Sequence, residues 1–78
     1  MPRFVLALDQ GTTATTAVVV GTDLTCLAKA GNEIPQIYPH PGWVEHSPEA
    51  IWGATCTSAR QAMAAAGVDP KDCVAVGI

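Results

Sequence analysis

The sequence predicts an α/β fold, ordered β-β-β-loop-α-β, with a mixed sheet whose first three strands are antiparallel. Three observations carry this. Two apolar runs, FVLAL (Phe4–Leu8) and ATTAVVV (Ala14–Val20), are parted by only a short turn-forming segment, so they pair as a hairpin. One stretch, beginning at Ser47, has helical spacing with a cap at each end. A last apolar run, CVAVGI (Cys73–Ile78), follows that helix, and a strand reached through a helix makes the sheet mixed.

Residues 3–8 are almost wholly apolar, the composition of a strand buried on both faces. Residues 14–20 are rich in β-branched side chains and form the second strand. Gly21, Thr22 and Asp23 supply turn chemistry. Residues 24–33, LTCLAKAGNE, then read as a third strand with Leu24, Cys26, Ala28 and Ala30 on one face. Helix propensity alone allows a helix there, but the length and the flanking turns favour a meander. Four prolines between Pro35 and Pro48 exclude a helix from the next segment. Ile37, Tyr38, Trp43 and Val44 give that loop apolar groups to pack. Ser47 is the expected N-cap, Pro48 the first helical residue, and Glu49 the charge that suits the helix N-terminus. Ile51, Trp52, Thr55, Ala59, Ala62, Met63 and Ala66 make the apolar stripe, and Gly67 the left-handed stop. VDPKD is a turn before the last strand. That strand has the composition of one covered by a further element, so the chain is expected to be part of something larger.

Bulk properties exclude several classes. With 78 residues the chain is at most one small domain. Three widely spaced cysteines without a CxxC pair argue against a disulfide framework or a zinc site. No basic neighbour marks any of them as a reactive thiol. Apolar runs such as Phe4–Leu8 fall far short of the ~20 residues of a membrane span, and the N-terminus lacks the h-region of a secretory signal. Net charge is −3, with the basic residues scattered, so no nucleic-acid footprint is present. The expectation is a cytoplasmic protein with no nucleic-acid or membrane partner.

The chemistry gathers at the first turn, Asp9-Gln10-Gly11-Thr12-Thr13. Glycine permits close approach, and successive amides of Gly11, Thr12 and Thr13 can form a nest for phosphate oxygens. The threonine hydroxyls add donors. Asp9 beside such a nest repels phosphate, but it can hold Mg²⁺ through water, and the ion bridges to phosphate. Carboxylate and cradle together make half of a phosphoryl-transfer site. The same residues also serve as ordinary caps of a hairpin turn. Two familiar nucleotide motifs are absent: GxxxxGK followed by Ser or Thr, and GxGxxG opening a helix.

LALDQGTT followed by QIYPHPGWVEHSPEAIW resembles the opening of the carbohydrate kinases with the actin-like (ribonuclease H-like) ATPase fold, and within them the glycerol kinase branch. The resemblance runs from about Phe4 to Ile78. It implies a partial N-terminal kinase domain over residues 1–78, with the adenine site, the substrate site and a second domain elsewhere. It further implies ATP and Mg²⁺ as cofactors, glycerol or a related polyol as substrate, and a parent that can be a homo-oligomer. Asp9 would organise the metal; Gly11, Thr12, Thr13 and Ala14 would meet the nucleotide phosphates, with Thr16 beside them. Thr16 stands where that branch has an arginine, and losing that guanidinium is expected to cost about 1.5–3 kcal/mol of nucleotide binding. No catalytic residue is expected within the chain, which alone should not turn over. Two other readings stay open: a non-catalytic module or pseudokinase remnant with the same half-fold, and another carbohydrate kinase of the same family.

The remaining candidates read as structural. Tyr38, Trp43 and Trp52 are expected to pin the proline-rich loop to the helix. His40 and His46 lack companions at metal-ligand spacing. Glu45 fits an acceptor of backbone hydrogen bonds, and Met63 the core.

Overall fold

The computed structural model describes residues 3–37, 41–42 and 46–78. Strand β1 spans Phe4–Gln10, β2 Ala14–Gly21 and β3 Cys26–Glu33. Helix α1 spans Pro48–Ala66, a single 3-10 turn covers Pro70–Asp72, and β4 spans Cys73–Gly77. The sheet order is β3-β2-β1-β4, antiparallel from β3 to β1 and parallel between β1 and β4. The predicted mixed sheet is therefore the observed one.

Residues paired across strands share a face. Phe4, Leu6, Ala17 and Val19 point to α1 and form the core with Ala62. Complete burial of Phe4 contributes about 1.5–3 kcal/mol. Helix α1 begins and ends as its caps dictate. The Ser47 hydroxyl accepts the Ala50 amide at 3.3 Å, while Gly67 at φ 70° lets its own amide and that of Val68 return to the last turn. Val68 then folds back on the core.

Four expectations change. The strand β1 is covered on one face only: Val5 and Ala7 point away from α1 and stay half-exposed, because the single helix lies on one side. Leu24 is not on the β3 face. It ends the β2–β3 turn at φ 69°, is 87% exposed, and leaves only Ala28 and Ala30 of the expected set half-buried. Trp52 is 69% exposed and does not belong to the helical stripe, whereas Ser58, outside the expected stripe, is fully buried. Gln10 lies inside β1, opposite Thr15, so the first turn is shorter than expected. Tyr38, His40, Trp43, Val44 and Glu45 lie outside the described residues, and the packing expected of them with the loop. Ile37 is described and is exposed.

The cysteines are free thiols. Among the described residues no helix is long and apolar enough to cross a membrane. In the strand β4, Val74 and Val76 are about half-exposed and Ile78 beyond it fully so.

Candidate functional site

The β1–β2 hairpin carries the site. Its ladder runs through Asp9 opposite Thr16 and Gln10 opposite Thr15 before the chain turns at Gly11–Thr13. Alternation then separates two kinds of residue. Gln10 and Thr15 face α1. Asp9 and Thr16 face the open side of the sheet, in line with Val5, Ala7 and Val18.

The turn is closed from within. The Gly11 amide donates to the Ala14 carbonyl at 2.9 Å, so it is not available to a phosphate, and the nest expected of three amides narrows to those of Thr12 and Thr13. Neither has an acceptor among the described residues. Both residues are exposed. Gly11 is nevertheless needed here, because a Cβ would come to 3.1 Å from the Ala14 carbonyl oxygen. The Thr13 carbonyl accepts the Ile34 amide at 2.8 Å, fastening the turn to the end of β3.

Gln10 completes the closure. Its Nε2 donates to the Gly11 carbonyl at 3.1 Å, and its Oε1 accepts the Thr15 hydroxyl at 2.7 Å. Thr15 is 1% exposed. Sequence reasoning passed over this pair, though its signal was visible: a threonine on the inward parity of β2 must spend its hydroxyl on something.

Asp9 is exposed, and no hydrogen bond or ion pair engages its carboxylate among the described residues. No group of three His, Cys, Asp or Glu gathers among them either. A lone free carboxylate fits Mg²⁺, which keeps several waters and needs one or two carboxylates plus substrate phosphate. It does not fit a structural metal. Opposite Asp9, the Thr16 hydroxyl lies over Gly31, where a Cβ would sit 3.3 Å from it. Position 16 therefore has room for a longer side chain on the open face.

The other histidine in view is no ligand set: the Nε2 of His46 is buried without a hydrogen-bond partner among the described residues.

Residues 4–78 match the family model of the FGGY family of carbohydrate kinases, N-terminal domain. The chain is 51% identical over 75 residues to a glycerol kinase of Bradyrhizobium diazoefficiens, covering 96% of this chain and 15% of that protein. It is 50% identical over all 78 residues to a glycerol kinase of Nitrobacter hamburgensis, of which it spans 16%. Among solved structures it superposes on xylulose kinase from Rhodospirillum rubrum with a TM-score of 0.77 at 30% identity, over 97% of this chain and 16% of that one. The expected actin-like ATPase architecture is thus the fold observed, in its opening β-β-β-α-β segment.

Proposed function

The chain belongs to the FGGY family of carbohydrate kinases, and from that premise we propose that it supplies the metal- and phosphate-binding hairpin of an ATP-dependent glycerol kinase. The reaction is transfer of the ATP γ-phosphoryl group to a glycerol hydroxyl, giving glycerol 3-phosphate and ADP. Asp9 is the carboxylate beside which Mg²⁺ is held, and bound Mg²⁺ supplies charge neutralisation of the phosphates. Thr12 and Thr13 give their free amides and hydroxyls to the phosphate oxygens; Gly11 keeps the turn tight, and Ala14 and Thr16 border it. The identities near one-half to glycerol kinases support glycerol over another polyol. The chain spans about one-sixth or less of the relatives' length, so the adenine and polyol sites of this reading belong to residues outside 1–78. We likewise place the activity in the cytoplasm.

The observation that carries the reading is the unengaged Asp9 carboxylate at the mouth of a turn whose own hydrogen bonds are met without it. A structural cap would be spent on the turn. The test is Asp9→Ala in the protein at its native length, with ADP formation followed with and without glycerol. Glycerol-dependent turnover should fall by at least about a hundredfold, the scale seen when a group opposing transition-state charge is removed. Turnover that survives the change would end the metal-anchor assignment.

A further inference from the structure

A polar chain, buried at its middle and exposed at both ends, crosses from the helix to the phosphate turn. Gln61 on α1 accepts from Asn32 Nδ2 on β3 at 2.9 Å, and the same nitrogen donates to the Ser58 hydroxyl at 2.8 Å. Ser58 in turn donates to the Thr15 carbonyl on β2 at 3.2 Å. Thr15 then passes its hydroxyl proton bond to Gln10 on β1, and Gln10 donates to the Gly11 carbonyl within the turn. Ser58 is 0% and Thr15 1% exposed. Helix α1 contributes Gln61 and Ser58, and β3, β2 and β1 contribute Asn32, Thr15 and Gln10 in turn.

Apolar residues would fill the buried positions 15 and 58 at lower cost, because a buried polar group must find partners or lose them at full desolvation cost. What a hydrogen-bonded chain adds over apolar contact is direction: each bond fixes an angle as well as a distance. The direction here converges on Gly11. Its amide is held by the Ala14 carbonyl and its carbonyl by Gln10, so the peptide units on both sides of Gly11 are clamped.

We propose that Gln10, Thr15, Ser58 and Asn32 are positioning residues, which hold the Gly11–Thr13 turn at the orientation that aims the Thr12 and Thr13 donors at the nucleotide phosphates. This rests on the kinase reading given above. On this reading the four act through the turn and not by contact with the nucleotide. Thr15 is the point to break, since valine is close to it in shape and removes only the hydroxyl, leaving Gln10 Oε1 without its donor. Without that bond the Gln10 amide is free to rotate away from Gly11, and the turn loses its inner clamp.

The experiment compares Thr15→Val with Thr15→Ser in the protein at its native length. In Thr15→Val, KM for ATP should rise severalfold, up to roughly tenfold, the scale of one lost intramolecular hydrogen bond, while KM for glycerol stays unchanged. Thr15→Ser should restore the ATP value. Amide hydrogen exchange gives a second readout free of activity: the Gly11 amide should lose protection in Thr15→Val and keep it in Thr15→Ser, with α1 unchanged in both. Equal KM values in the wild type and Thr15→Val, or a parallel rise for both substrates, would overturn the positioning role. Unchanged Gly11 exchange in Thr15→Val would overturn it as well. A wild type without glycerol-dependent ADP formation would instead defeat the kinase reading, and Gly11 exchange would still decide the clamp.

Discussion

The protein contains two antiparallel hairpin turns built from nearly the same residues, and they use them in opposite ways. The β2–β3 turn has Gly21, Thr22, Asp23, Leu24 and Thr25. There the Leu24 amide donates to the Gly21 carbonyl at 2.9 Å, and the Asp23 carboxylate accepts the Thr25 amide at 3.1 Å. A Cβ at Gly21 would come to 2.9 Å from that carboxylate, which would have to move off the Thr25 amide to admit it. The aspartate is consumed by its own backbone. In the β1–β2 turn the aspartate precedes the turn, points to the open face of the sheet, and takes no part in closure. A glutamine does the closing instead. Composition does not tell a structural aspartate from a functional one; whether the turn's hydrogen bonds are already met without it does.

The largest expected effect breaks this contrast directly. Asp9→Ala should lower glycerol-dependent turnover by at least about a hundredfold, as stated above, and leave the unfolding midpoint almost unmoved, since its carboxylate holds nothing in the fold. Asp23→Ala should do the reverse, sparing turnover while lowering the midpoint in urea. If both variants lose turnover alike, the two carboxylates are not distinct in kind.

Next in size is Thr16→Arg. Gly31 leaves the open face clear beside residue 16, so a guanidinium can extend past Asp9 toward the phosphates without displacing the sheet. Nucleotide affinity should improve by about 1.5–3 kcal/mol, or roughly tenfold to a hundredfold. Titration of ATP against each protein measures it. Adding Gly31→Gln to the arginine variant should reduce the gain by filling that space, and an unchanged affinity in Thr16→Arg would mean that the phosphates do not pass over this side of the hairpin.

How much of this was legible before the structure follows from what each residue depends on. The caps of α1 were legible because Ser47, Pro48 and Gly67 act on their own neighbours within a few residues. The β1–β2 hairpin was legible because two apolar runs with a short gap admit one pairing. What failed depended on distance. Trp52 fits the helical stripe by spacing, yet it is 69% exposed, because what covers a helical position is set by elements distant in sequence. Ser58 breaks the apolar pattern and gives no local signal of burial, since its hydroxyl meets Asn32 and the Thr15 carbonyl, 26 and 43 residues away. The one-sided burial of β1 was illegible for the same reason: a strand's own composition names the cover it suits, not the cover it has.

A smaller effect comes from Leu24, whose left-handed backbone is a position that type I hairpin turns ordinarily give to glycine. That conformation costs a residue with a Cβ about 1–2 kcal/mol, and glycine recovers it less about 0.5–1 kcal/mol of extra unfolded-chain entropy. Leu24 is 87% exposed, so little packing is lost. Leu24→Gly should therefore stabilise the protein by about 0.5–1 kcal/mol, read as a higher denaturation midpoint, while Leu24→Ala should change little. Stabilisation by alanine equal to that by glycine would show that exposure of the leucine, and not its backbone angle, sets the cost. No corresponding gain is expected at Gly11, which is already glycine for reasons of space.

The smallest effect concerns the consumed carboxylate and its pH dependence. Hydrogen bonds from Thr25 hold Asp23 below its ordinary value of 3.8. A folded-state value depressed in this way gives stability that is fully present above the unfolded value and is lost as pH falls through the folded one. Asp23→Asn keeps an acceptor for the Thr25 amide but has no charge to titrate. The stability difference between wild type and Asp23→Asn should be constant from about pH 7 to pH 5 and should shrink below 3.8. Glu49 is also held below its ordinary value, by its own backbone amide first and the Ser47 hydroxyl second, but it is common to both proteins and cancels. Denaturation midpoints across that acid range measure the difference. If it widened on acidification instead, Asp23 would not be the acceptor of the Thr25 amide, and the two turns would no longer differ in how they spend their aspartates.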